Sequence, residues 1–353
     1  MRSIKDFEVI DKRILVRCDF NVPLDEKGNI LDDFRIKQTI PTIKYLIGKK
    51  AKIILMSHLD PESTGVADRK YTLDKVAEKL SDYLNISIEK ETDCIGPEVE
   101  TLANGLKQGQ VLLLENLRFY KEETAGDMEF AKKLSYLGDI YVNDAFGASH
   151  RNHASIAIVP QILPNCMGLL LEKEIDNLNK IMGKSLPAGR QAEKPMVSIV
   201  GGTKVETKSK FIDKISEVSD FVIISGLLKE EVIAKNIKFK YPEKIIGPEN
   251  NLHSLDIDEK TIKLFSEKIL QAKTILWNGP FGKFEEQQYA KGTLAIAEAI
   301  IQSGAFSVVG GGETVEFLEK QGIIDKFSHV STGGGAMLNY LSGDNLPGIE
   351  ALN

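Results

Sequence analysis

The chain has little of what marks several protein classes. It carries three cysteines in 353 residues, Cys18, Cys94 and Cys166. The number is odd and no two sit at metal-ligand spacing, so neither a disulfide framework nor a structural zinc site is expected. Free thiols in a reducing compartment are the reading. No apolar run approaches the ~18–20 residues that span a bilayer. The opening stretch, MRSIKDFEVIDKR, has no apolar core of the kind a signal peptide needs. A cytoplasmic protein with no membrane partner is therefore expected. Basic charge is not in excess: 45 Lys and Arg stand against 51 Asp and Glu, a net charge of −6. That argues against nucleic acid as a partner, which requires a basic face. The phosphate-loop pattern GxxxxGK followed by Ser or Thr is missing, and so is the dinucleotide pattern GxGxxG.

What the chain does have is a repeated rhythm of short apolar runs and amphipathic segments. The runs are ILV (14–16), KIILM (52–56), VLLL (111–114), DIYV (139–142), MVSIV (196–200), FVII (221–224), TILW (274–277) and FSVV (306–309). Continuous, β-branched runs of this length suit parallel strands covered on both faces. Segments at helical spacing lie between many of them, such as 72–84, 261–270 and 290–300. Alternation of this kind predicts an α/β protein with doubly wound, Rossmann-like parallel sheets. The strand series pauses between Pro160 and Pro195. Within the pause, 169–184 predicts a connecting hinge helix, and the polar stretch 184–195 predicts a loop. Two domains are expected, 1–168 and 185–343, with residues 344–353 returning to the first.

The strand ends differ between the halves. In the first half they carry charge: Asp19 and Asn21, with Arg35 shortly after; Ser57 and His58; Glu115, Asn116 and Arg118; Asn143 and Asp144, followed by Arg151. Open parallel sheets bind ligands beyond the carboxyl ends of their strands. Arginine forks suit carboxylate and phosphate, so this half predicts a site for a small, multiply charged anion. Taken singly, each residue also has a plainer reading: Asp19 could pair with Arg17, and His58 could be a satisfied buried imidazole. His150 and His153 have the spacing of a metal pair but no third ligand nearby.

In the second half the strand ends carry glycine: GGTKVETK (201–208), WNGPFGKFE (277–285), VVGGGET (308–314) and STGGGA (331–336). Glycine lets backbone approach an anion, and helix N-termini favour negative charge. Lys204 and Lys208 are four apart, which predicts one shared helix side. Glu313 is a candidate ligand for Mg2+ bridged to nucleotide phosphates, or an acidic residue complementing a helix N-terminus.

These stretches, together with RILVRCDFNVPL, DFRIKQTIPTIKYL, LLLENLRFYKEE, GDIYVNDAFGASHRNHAS, HVSTGGGAMLNYL and LPGIEALN, resemble the phosphoglycerate kinase family, in the family's order from residue 13 to the end. The resemblance implies reversible phosphoryl transfer between 1,3-bisphosphoglycerate and ADP, giving 3-phosphoglycerate and ATP, by a monomer. It implies glycerate contacts from Asp19, Asn21, Arg35, His58, Arg118 and Arg151. It implies nucleotide contacts from Lys208, Asn278, Glu285, Gly311, Gly312, Glu313 and Thr314, with Glu313 at the Mg2+ of MgATP. Arg35, Lys204, Gly333 and Gly334 would flank the transferring group, which domain closure would enclose. The chain departs from the family in four places, one of them the segment LPAGRQAEK (186–194), which has the look of an insertion. SHLDPE (57–62) puts Pro61 where the family has an arginine, a loss Arg69 would have to offset. Glu313 replaces an aspartate. The stretch between Lys208 and Trp277 is short, with ISGLLKEE (224–231) in place of a glycine-rich adenine-pocket motif. A phosphoglycerate-binding protein without catalysis, and an acyl-phosphate kinase of altered base preference, stay open on the sequence alone.

Overall fold

The computed structural model describes residues 1–59, 65–183, 193–203, 205, 206 and 208–352. The chain divides into two compact units, Met1–Glu174 with Asn345–Asn353, and Ile175–Asp344. Each is built on one six-stranded sheet in which every pairing is parallel.

The first sheet contains β1 (Arg13–Cys18), β2 (Lys52–Met56), β3 (Glu89–Lys90), β4 (Val111–Leu113), β5 (Ile140–Asp144) and β6 (Asn165–Met167), in the order β3-β4-β2-β1-β5-β6. Ile14, Val16, Ile53, Leu55, Val111, Leu113, Ile140 and Val142 form one buried face and pack with the helix Phe34–Gly48 and its neighbours. Because all strands run the same way, residues 18–21, 57–58, 115–118 and 143–145 emerge along one edge. The C-terminal segment belongs to this unit: Gly348 N donates to Ser149 O at 2.9 Å, and Asn143 Nδ2 donates to Gly348 O at 2.8 Å.

The second sheet contains β7 (Met196–Val200), β8 (Phe221–Ile224), β9 (Ile245–Ile246), β10 (Thr274–Asn278), β11 (Phe306–Gly310) and β12 (His329–Val330), in the order β12-β11-β10-β7-β8-β9. Its core gathers Val197, Ile199, Ile275, Trp277 and Val309 with Phe265, Ile296, Phe317 and Phe327.

Two expectations needed correction. The eight apolar runs are strands, but β3, β6, β9 and β12 are added at the four sheet edges, each two or three residues long. Segments this short have no readable period; their pairing to a central neighbour makes them strands. One of them, β6, lies inside the 160–195 stretch where the sequence pattern pauses. Lys208 does not lie within a helix: the regular helix begins at Ser209 and Lys208 is its cap residue. Lys204, Asp60, Pro61 and most of the 184–195 loop lie outside the described residues. Among the described residues, no helix is long and apolar enough to cross a membrane.

Candidate active site

At the carboxyl edge of the first sheet the charged residues converge. Arg35, from the helix after β1, donates through Nη1 to both oxygens of Asp19 at 3.2 Å and to Asn21 O at 3.1 Å. Asp19 is almost fully buried while Arg35 keeps about a third of its side chain exposed. Asn21 N donates back to Asp19 Oδ1 at 3.2 Å. Ser57 ties the ends of β1 and β2 together by accepting from Phe20 N at 2.9 Å. His58 follows it, buried, with Nδ1 3.1 Å from Arg17 Nη2. Guanidinium is always a donor, so Nδ1 accepts and the proton of the neutral ring lies on Nε2. Arg118 is buried in the turn Leu117–Phe119, and Arg151 is half-buried after β5.

The electrostatics follow from this crowding. Burial, then the charges of Arg17, Arg118, Arg35 and Arg151, hold His58 far below the ordinary imidazole value. His153 is pulled down to about 3 by burial and by Arg118, Arg17 and Arg151. His150 is lowered by burial and by Arg151. All three rings are therefore neutral at physiological pH. Arg118 is drawn down to about 10 by burial and by its neighbours Arg17 and Arg151. Four guanidiniums and two carboxylates, Asp19 and Glu123, make a net-positive sheet edge. Such an edge gains most from a ligand with several negative charges.

Other residues expected at this edge turn out to hold the frame. Asn116 Oδ1 accepts from Leu59 N at 3.1 Å and Arg118 N at 3.0 Å, and its Nδ2 donates to Leu59 O at 2.8 Å and Tyr71 O at 2.9 Å. Glu115 accepts from Leu73 N at 3.0 Å and from Lys90 Nζ at 2.8 Å. Asp144 accepts from Leu170 N and Leu171 N at the start of the helix Leu169–Ile181. Arg69 lies exposed in the turn Arg69–Tyr71. Arg17, by contrast, is fully buried at the heart of the cluster, a placement its strand position alone did not signal.

The second sheet presents glycines along the same kind of edge. Gly201 and Gly279 press together so closely that a β-carbon on Gly201 would lie 2.3 Å from Gly279 O. Gly311, at φ +102°, caps the helix Gly312–Lys320; Gly333 caps the helix Gly334–Leu341, and Gly334 packs directly on Gly311. Two helix N-termini, each with first-turn amides that have no partner inside the helix, are thus brought side by side. Gly333 N itself donates to Ser331 Oγ at 3.3 Å. Lys208 is partly buried and its Nζ donates to Gly201 O. Burial lowers its ammonium below the ordinary value, and Glu313 works in the opposite direction. Glu313 is exposed in the first turn of its helix. Thr314 is buried and its hydroxyl accepts from Gly279 N at 2.9 Å, while Asn278 Nδ2 donates to Gly310 O at 3.2 Å. Glu285 is exposed in the connection that follows β10. The family model described as phosphoglycerate kinase matches residues 4–241 and 230–344.

The chain belongs to the phosphoglycerate kinase family. A relative named phosphoglycerate kinase from Dictyoglomus turgidum is 43% identical over 396 aligned positions, covering 99% of this chain and 98% of the relative. One from Aquifex aeolicus is 39% identical, covering 100% and 98%. Among solved structures, phosphoglycerate kinase from Pyrococcus horikoshii OT3 superposes with a TM-score of 0.87 at 31% identity, covering 100% of this chain and 98% of that one. The enzyme from Coxiella burnetii gives 0.81 at 30% identity, covering 99% and 98%. The 396 aligned positions exceed the 353 residues of this chain, so the match crosses gaps. The two family-model matches overlap at 230–241, so the family pattern is interrupted there, within the stretch that is short by sequence.

Proposed function

We propose that the chain is an active phosphoglycerate kinase, transferring a phosphoryl group reversibly between 1,3-bisphosphoglycerate and ADP to give 3-phosphoglycerate and ATP. The observation that carries this reading is the full-length family match joined to a first unit whose strand ends gather four guanidiniums around a neutral histidine. Asp19, Asn21, His58, Arg118 and Arg151 take the glycerate and its phosphate, with Arg35 beside the transferring group. Lys208, Asn278, Gly311, Gly312 and Thr314 serve the nucleotide phosphates, and Glu285 the ribose. Glu313 would hold the magnesium of MgATP, because Mg2+ is typically held by one or two carboxylates plus phosphates.

Phosphoryl transfer asks the protein for positioning and charge rather than covalent chemistry. Arg35 and Lys204 are cations suited to follow charge onto the equatorial oxygens. The acceptor in the reverse direction is a carboxylate and in the forward direction a phosphate oxygen, both already anionic, so no general base is required. Of the pair, Gly334 N–H is the amide we assign to the transferring group, since Gly333 N–H donates to Ser331 Oγ. Buried free thiols support a reducing, cytoplasmic setting.

The test is a coupled assay with 3-phosphoglycerate and MgATP, run beside Arg35→Ala and Lys204→Ala. Turnover that both variants lose is expected. Tight 3-phosphoglycerate binding without turnover would overturn the reading in favour of a binding protein whose shortened nucleotide unit no longer serves catalysis.

A further inference from the structure

We infer that Glu123 and Ser155 are positioning residues for the phosphoglycerate half-site: they fix Arg17, and Arg17 in turn fixes the tautomer of His58. The inference rests on the proposed function and adds to it a line of residues behind the binding edge.

The chain of contacts is directional and entirely buried. Ser155 has one hydroxyl proton. It donates this to Glu123 Oε1 at 2.6 Å, which leaves a lone pair to accept from Arg17 Nε at 2.7 Å. Glu123 Oε2 accepts from Ser155 N at 2.9 Å, so the carboxylate grips both the side chain and the backbone of the same residue. Tyr141 Oη donates to Ser155 O at 2.9 Å and closes the remaining side. Arg17 lies 4.0 Å from Glu123 and neither side chain has exposed surface. The far end of the guanidinium then meets His58 Nδ1 at 3.1 Å, while Nη1 donates to Cys18 O.

Each link has a physical reason. A buried guanidinium beside Arg118 and Arg151 needs a counter-charge, and Glu123 supplies one. A guanidinium cannot give up its proton. His58 Nδ1 is therefore held as a lone pair and Nε2 as a donor, the form that can hydrogen-bond an anionic ligand. The charges facing His58 come from four elements: Arg17 from β1, Arg35 from the helix Phe34–Gly48, Arg118 from the turn after β4, and Arg151 from the turn after β5. Ser155 itself sits in a wide, π-type turn, Ala154–Ile158. Such turns insert an extra residue into a helix and recur at functional positions; this one aims the hydroxyl at the strand end. The three members are distant in sequence, with Ser155 138 residues from Arg17 and 32 from Glu123.

The test joins a spectrum to kinetics. Side-chain 15N spectra, with His58 assigned by comparison with His58→Gln, are expected to show Nε2 protonated and Nδ1 bare in the wild type from about pH 6 to 8. In Ser155→Ala, Arg17 loses its Nε acceptor. His58 should then populate both neutral tautomers across that interval. The KM for 3-phosphoglycerate should rise about tenfold, the effect of one charge-assisted hydrogen bond, with the KM for MgATP unchanged. Ser155→Thr keeps the hydroxyl and should restore the spectrum and the KM. A Ser155→Ala protein with the wild-type 15N pattern at every pH would overturn the relay, whatever its activity. If Ser155→Ala does not fold, the same spectra on Glu123→Gln decide. The spectra need no turnover, so failure of the kinase reading and failure of the relay are separate results.

Discussion

Gly334 rests on Gly311: a β-carbon on Gly334 would lie 2.6 Å from the Cα and 2.8 Å from the nitrogen of Gly311. The start of one helix is thereby set against the cap of another, and neither backbone can retreat without moving its strand. Gly335, the next residue, faces open space. Gly334→Ala is expected to lose about 1–3 kcal/mol, the usual effect of overpacking, whereas Gly335→Ala should keep or slightly raise stability. Urea denaturation of the two variants checks this. Equal stability in both would mean the Gly311–Gly334 contact is not tight in solution.

Asn116 shows how much of the cationic edge depends on a residue that only clamps backbone. Its amide serves Leu59, Tyr71 and the backbone of Arg118 at once. Asn116→Ala strands several buried peptide groups and should lower stability by about 3 kcal/mol. The denaturation midpoint should fall with its slope unchanged, and the KM for 3-phosphoglycerate should rise because Arg118 loses its anchor.

Asp144 makes a pH-dependent contribution whose sign can be worked out. Its carboxyl is wholly buried, with Gly168 packed so close that a β-carbon there would lie 2.1 Å from Oδ1. Burial raises it to about 7, although hydrogen bonds from Leu170 and Leu171 pull the other way. An unfolded aspartate titrates near about 3.9. Between the two values the folded state binds the extra proton, so this group's support is full at low pH and is lost as pH rises through about 7. Asp144→Asn is always neutral and keeps an oxygen for the two amides. It should gain Tm relative to wild type at about pH 8 and little at about pH 5. A Tm difference that does not change with pH would mean that Asp144 is not titrating in this interval.

Glu313 stands exposed at a helix start, where loss of its charge has little structural consequence. Glu313→Gln should keep stability within about 0.5 kcal/mol and raise the KM for MgATP about tenfold, the equivalent of one charge-assisted contact. Glu313→Asp, which shortens the arm but keeps the charge, should lie between. An unchanged KM in Glu313→Gln would remove this carboxylate from the nucleotide site.

The sequence by itself determined the fold class and the division of chemistry. The central strands are continuous β-branched runs that only a doubly covered parallel sheet can bury. Parallel strands put all their ends on one edge, so the arginine-rich first half and the glycine-rich second half were legible as two different rims. Tertiary structure alone decided the rest. The edge strands Glu89–Lys90 and His329–Val330 are too short to carry a pattern and exist because a neighbour pairs with them. Asn116 and Arg118 look alike as polar strand-end residues, yet one clamps three backbone segments and the other joins the cationic cluster. Sequence left a pairing of Asp19 with Arg17 open as one plain alternative, but Asp19 pairs with Arg35, and Arg17 is held by Ser155 and Glu123. Local pattern records which face a residue occupies. Which distant charge will compensate it is settled only when packing excludes water and brings the two groups within reach.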